Sequence, residues 1–162
     1  MSERTPAAVV VTEVAGGDPR LASLIAIHQA YAADHTPAGS GHALAPGTQE
    51  TLEVRYWLAL DPDGTTLGCI GLKKLSAGHG EIKTMHVLEA YRGAGVADAL
   101  MNGLERSARA LGFERMSLET GKGDGFSASR RFYARCGFEP CEAFGPYVDD
   151  AFSVCMTKRL QE

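Results

Sequence analysis

The sequence predicts an α/β domain of the α+β kind, in which a single mixed and mostly antiparallel sheet is flanked by helices on both faces and residues 1–162 form one domain. Three observations predict it. The 162 residues are 44% hydrophobic, enough for one self-contained core and cramped for two. Apolar, β-branched runs bunch in the first half of the chain, and strands alternate with helical stripes in the second. Between the halves a glycine-rich turn opens a strongly amphipathic segment.

Residues 8–14 form a β-branched run that reads as the first strand. Gly16-Gly17-Asp18-Pro19 breaks it, with Asp18 as N-cap and Pro19 as first helical residue. Leu21, Leu24, Ile25, His28 and Tyr31 then recur at helical spacing down to about Ala33, which makes His28 a structural member of a packed stripe. Residues 34–51, rich in Gly, Pro, Ala, Ser and His, show no period and form the longest loop or a short helical insert, the kind of segment that shapes binding sites. Residues 53–60 and 65–75 are apolar runs around Asp61-Pro62-Asp63-Gly64, a turn sequence that makes them a hairpin.

Residues 81–87 alternate as a strand, with Ile82, Thr84 and His86 on one side and Glu81, Lys83, Met85 and Val87 on the other. A helix follows over residues 95–111. Its stripe is Val96, Leu100, Met101, Leu104, Ala108 and Leu111, and Gly112 stands just past its end. Residues 115–119 read as a short strand, 127–136 as a short helix closed by Gly137, and 138–144 and 152–158 as two last strands. The chain has no internal repeat.

Charge and composition remove several function classes. The net charge is −4 and no block of lysine and arginine stands out, so a nucleic-acid partner is not expected. No stretch approaches the roughly 20 apolar residues that cross a bilayer, and the N-terminal apolar run is too short for a secretory signal, which points to a cytoplasmic protein without a membrane partner. Cys69, Cys136, Cys141 and Cys155 match no CxxC or zinc spacing and are expected to be reduced thiols, with no metal.

The turn Tyr91-Arg92-Gly93-Ala94-Gly95-Val96-Ala97 joins a strand to the amphipathic helix, so its main-chain amides point outward at a helix N-terminus and attract an anion. Its small residues let a phosphate approach the backbone. A P-loop would need a lysine after the glycines, and a dinucleotide fingerprint would need Gly or Ala where Asp98 stands. Both are therefore disfavoured against another diphosphate ligand.

Arg92-Gly93-Ala94-Gly95-Val96-Ala97 resembles the R/Q-x-x-G-x-G/A signature of the GNAT superfamily of N-acetyltransferases, and Phe132-Tyr133-Ala134-Arg135-Cys136-Gly137-Phe138 resembles its FYxxxGF segment. The order of elements from about Val9 to Leu160 is similar too. The resemblance implies the GNAT fold, acetyl-CoA as cosubstrate, and a small-molecule or peptide amine as acceptor; it is compatible with a homodimer. It implies a diphosphate bound at Gly93, Ala94, Gly95, Val96 and Ala97 with Arg92 beside it, and a pantetheine arm paired with the backbone of Met85, His86 and Val87. Many relatives carry Asn where this chain has Phe126, so Ser127 or Ser129 is the expected substitute.

For the chemistry, the resemblance implies Tyr133 as the acid or hydrogen-bond donor to the departing thiolate, although a tyrosine pKa near 10 makes full proton transfer mildly costly without tuning. Glu81, eleven residues before Arg92, is the first candidate base, with Glu119 and His86 as alternatives. A backbone amide near Val87 is the expected donor to the tetrahedral intermediate's oxygen. His35, His42 and His79 are candidate acceptor-pocket residues. A noncatalytic acyl-CoA-binding module with this fold would carry the same ligand signature.

Overall fold

A computed structural model describes residues 8–35, 54–144 and 153–160. Its elements are β1 (Val10–Val14), α1 (Pro19–His35), β2 (Val54–Leu60), β3 (Thr66–Ser76), β4 (His79–Val87), α2 (Val96–Ala110), β5 (Arg115–Gly121), α3 (Ser127–Arg135), β6 (Glu139–Cys141) and β7 (Ser153–Arg159). Most of the expected loop over residues 34–51, with His42, lies outside the described residues, as does the side chain of His35.

Local chemistry accounts for the element ends. Asp18 Oδ1 accepts the Arg20 amide at 2.9 Å, the N-cap bond expected ahead of Pro19. In the β2–β3 turn, Asp61 Oδ1 accepts the amides of both Asp63 and Thr65, and Gly64 has φ 85°, a left-handed conformation that suits glycine. Gly112, at φ 90°, ends α2 while Phe113 N–H donates back to Ala108 O. Leu111 is a correction to the expected stripe: it is the α2 C-cap and 43% exposed. β6 is also shorter than expected, three residues rather than seven, and Phe138 packs into the core instead of opening that strand.

The sheet order is β1-β2-β3-β4-β5-β7-β6, and every pairing is antiparallel except β4 with β5. The expected mixed, mostly antiparallel sheet is therefore present. On one face α2 and α3 cover Trp57, Ile70, Leu72, Ile82, Met116, Leu118 and Met156. On the other, Leu21, Leu24 and Ile25 of α1 cover Tyr56, Leu58 and Cys69. The central strands are buried on both faces, so they read as continuous apolar runs.

β4 departs from the alternation read in its sequence. Gly71 is opposite Lys83, but Cys69 is opposite His86, so β4 holds one extra residue and bulges. Thr84 absorbs the kink at φ 52°, a region that β-branched residues rarely adopt. Ile82 consequently packs against the α2 core while His86 turns to the opposite face, so Ile82 and His86 do not share a side. There His86 Nδ1 lies 3.2 Å from His28 Nδ1 of α1, with the rings edge to face. Burial pushes the His28 imidazole down to about 4, with the His86 ring adding to the effect, and burial also lowers His86.

Two expectations follow from this packing. A Cβ on Gly68 would sit 2.6 Å from the main-chain oxygen of His86, which no rotamer change relieves, so Gly68→Ala should cost about 1–3 kcal/mol in urea unfolding. Both histidines titrate lower in the folded chain than the ordinary 6.5, so the unfolded chain binds more protons below that pH. Stability should fall as pH drops from about 6.5 toward 4, and His28→Gln should make that fall shallower in urea titrations compared with the parent chain.

Candidate active site

β4 and β5 run side by side only briefly. His79, Gly80 and Glu81 pair with Arg115, Met116 and Ser117, after which β4 stays with β3 and β5 with β7. Among the described residues no strand covers the β5-facing edge of β4 from Ile82 to Val87. Backbone groups on such an edge are a template for an extended ligand carrying amides. Met85 and Val87 point their side chains at the α2 core, and Val87 O already accepts from Arg92 Nε.

The edge leads into the glycine turn. Gly93 and Gly95 have φ 79° and 83°, so both need glycine for conformation as well as for access. A Cβ at Gly93 would meet no atom within 4 Å, which leaves open space on that side of the turn. Gly95 is the N-cap of α2, no side chain caps the helix, and Ala99 N–H makes the first helical bond back to Gly95 O. The amides of Val96, Ala97 and Asp98 therefore lack intrahelical acceptors. Val96 buries its side chain and contributes only main chain, and Ala94 and Ala97 are part-exposed. Arg92 is exposed, donates Nε–H to Val87 O at 3.1 Å, and lies 5.8 Å over the Tyr31 ring. These features fit a diphosphate followed by an amide-bearing arm.

Tyr133 lies on the α2 side of the sheet, 6% exposed and edge to face with Phe132 and Phe138. Burial first, and the neighbouring Cys136 second, raise its hydroxyl pKa well above the ordinary tyrosine value, which keeps it a donor. Ser127 already donates its hydroxyl to Asp124 O, while Ser129 is exposed on α3. Phe126 takes neither role. Its ring covers Gly121, where any Cβ would meet it at 2.2 Å, and stands edge to face with Tyr31.

The candidate bases lie on the other face. Glu81 is 1% exposed and accepts from Lys83 Nζ at 3.3 Å. Its register partner Ser117 joins His79 Nε2 at 2.7 Å and Thr157 Oγ1 at 2.9 Å, and Arg115 donates to the same threonine at 3.0 Å. Glu119, two residues beyond Ser117, shares this face and is half-buried. His79 is thus a strand residue in a hydrogen-bonded row rather than a loop residue. Tyr133 therefore lies on one face of the sheet and Glu81 and Glu119 on the other, with Glu81 in the last paired step of β4 and β5.

Sequence reading missed Tyr31, Ser117 and Thr157. Tyr31 donates its hydroxyl to Gly125 O and so ties α1 to the 3-10 turn after β5. Its place at the end of an apolar stripe gave only a packing signal. Ser117 and Thr157 belong to strands distant in sequence, and only the register makes them neighbours.

Residues 24–138 match the family model described as the acetyltransferase (GNAT) family. The chain is 38% identical over 125 residues to the uncharacterized N-acetyltransferase YsnE of Bacillus subtilis, covering 77% of this chain and 82% of that one. It is 33% identical over 145 residues to the uncharacterized N-acetyltransferase YedL of Escherichia coli, covering 89% of this chain and 90% of that one. A solved Klebsiella pneumoniae structure assigned as an acyl-CoA N-acyltransferase superposes with a TM-score of 0.78 at 27% identity, covering 94% of this chain and 98% of that one. With an open β4 edge running into an uncapped helix start, and with these relatives across most of its length, this chain belongs to the acetyltransferase (GNAT) family.

Proposed function

We propose that this protein transfers the acetyl group of acetyl-CoA to a primary amine of a small molecule or peptide, by direct attack of the amine on the thioester. The observation that carries the reading is the continuity of the uncovered β4 edge with the amides of Val96, Ala97 and Asp98. An extended, amide-bearing arm pairs with the edge, and its diphosphate end meets the positive end of α2, next to Arg92. This lays the thioester beside the parting of β4 and β5.

The amine must be neutral to attack, and Glu81 and Glu119 are the carboxylates on the polar face that take up its proton, directly or through water. Lys83 Nζ lies 3.3 Å from Glu81 Oε2, so a cation stands beside this carboxylate. As the carbonyl oxygen gains charge, a main-chain amide on the exposed β4 edge donates to it without needing any special side chain. Tyr133, kept protonated by burial, donates to the thiolate that leaves. Its raised pKa favours hydrogen bonding over complete proton transfer.

Acetyl-CoA at about 100 times its Kd should raise the unfolding free energy by about 2.7 kcal/mol, read as a higher Tm. Gly95→Glu should abolish that rise with an unchanged far-UV circular dichroism spectrum, because a carboxylate at φ 83° meets the anion on the ligand's own path. Absence of a rise in the parent chain would overturn the reading. In a thiol-release assay across amino acids, polyamines and peptide N-termini, Tyr133→Phe should lower kcat about 100-fold while leaving the acetyl-CoA Tm rise intact. An unaffected kcat would remove Tyr133 from the chemistry, and no thiol release with any amine would favour a binding module instead.

A further inference from the structure

Cys141, which ends β6, stands directly opposite Cys155 of β7, and both are free thiols. Opposed residues in an antiparallel pair project from the same face, with Cα atoms about 4.5 or 5.5 Å apart according to pair type and Cβ atoms about 4.5–5.5 Å apart. A disulfide accepts Cα separations of about 4.4–6.8 Å and Cβ separations of about 3.5–4.5 Å. The two Cβ atoms therefore need about an ångström of approach, and β6 is a three-residue edge strand paired, among the described residues, only with β7. The other two thiols lack this placement. Cys69 donates to Thr84 O within the α1 side of the core, and Cys136 packs at the end of α3 on the α2 side.

We propose that Cys141 and Cys155 form a dithiol modification site that low-molecular-weight disulfides of the glutathione class oxidise reversibly to a cross-strand disulfide. Cys141 is part-exposed and Cys155 buried, so reaction starts at Cys141. Its thiolate attacks one sulfur of glutathione disulfide, forming a mixed disulfide and releasing one glutathione thiolate. The Cys155 thiolate then attacks Cys141 Sγ and expels the second glutathione. The two cysteine sulfurs are oxidised, the two glutathione sulfurs are reduced, and the protons lost by the cysteines end on the released thiols.

The surroundings set the rate and the consequence. Burial raises both thiols, opposed at Cys141 by Arg115 and reinforced there by Glu142; at Cys155 the Phe144 amide opposes it, while Cys141, Glu119 and Glu81 add to it. Exchange is accordingly slow at neutral pH and quickens as pH rises. Glu119 is the register partner of Cys155 on the other side of β7, so the bond fastens β6 beside the polar face that carries Glu81 and Glu119. The inference rests on strand register and not on the acetyl-transfer reading.

The test incubates the full chain with glutathione disulfide under native conditions, traps remaining thiols by alkylation and maps the peptides. The expected result is loss of two titratable thiols, a Cys141–Cys155 linked peptide, and recovery of both thiols with dithiothreitol. Cys155→Ser should stop at a glutathione adduct on Cys141, and Cys141→Ser should leave Cys155 unmodified. A parent chain that stays glutathionylated at Cys141, keeps all four thiols, or links through Cys69 or Cys136 overturns the proposal, and this readout needs neither variant to fold.

Discussion

The structure depends on the parting of β4 and β5. Parallel pairing lasts from His79 to Glu81, and then the bulge at Thr84 bends β4 away with β3 while β5 follows β7. A continuous ladder there would bury the backbone groups of β4 in pairing and close the sheet. Among the described residues, parting leaves the facing edges of β4 and β5 without a strand neighbour, a feature that sheets usually avoid. The cost at Thr84 is a β-branched residue at positive φ, and such strain is common where a fold serves a site.

Around that gap, each face supplies different chemistry. The α2 side is apolar and aromatic, with Tyr133 wedged between Phe132 and Phe138, so it excludes water and keeps the phenol protonated. The opposite side holds a row of polar side chains, His79, Ser117 and Thr157, beside Glu81 with Lys83. α1 is tied to the 3-10 turn after β5 by Tyr31, which bonds Gly125 O and stands edge to face with Phe126. The aromatic Phe126, where many relatives carry Asn, acts here as a packing piece for Gly121.

Much of the fold was legible because its signals are local. Asp18 with Pro19, the Asp61 turn, the α2 stripe up to Ala108 and Gly112 each announce themselves within a few residues, and each stands as read. The glycine turn was legible for the same reason: Gly93 and Gly95 meet a conformational demand that only nearby backbone creates. Errors arose where a long-range partner decided the outcome. The alternation of β4 failed at Thr84 because the bulge answers to β3 and β5, and β6 shrank because β7, not its own composition, sets how far it pairs.

By itself the sequence determined the order of elements, the two-faced sheet and the glycine turn, since these follow from periodicity, caps and short spacings, and it carried the resemblance to family motifs at Arg92 and Tyr133. Tertiary structure alone decided which face each strand residue serves. It set Glu81 and Glu119 across the sheet from Tyr133, turned His86 toward His28, and brought Ser117 to Thr157 and Cys141 to Cys155. The physical reason is that strand register carries no local signature: a shift of one residue reverses every side chain, and only the packing of distant strands selects among the alternatives.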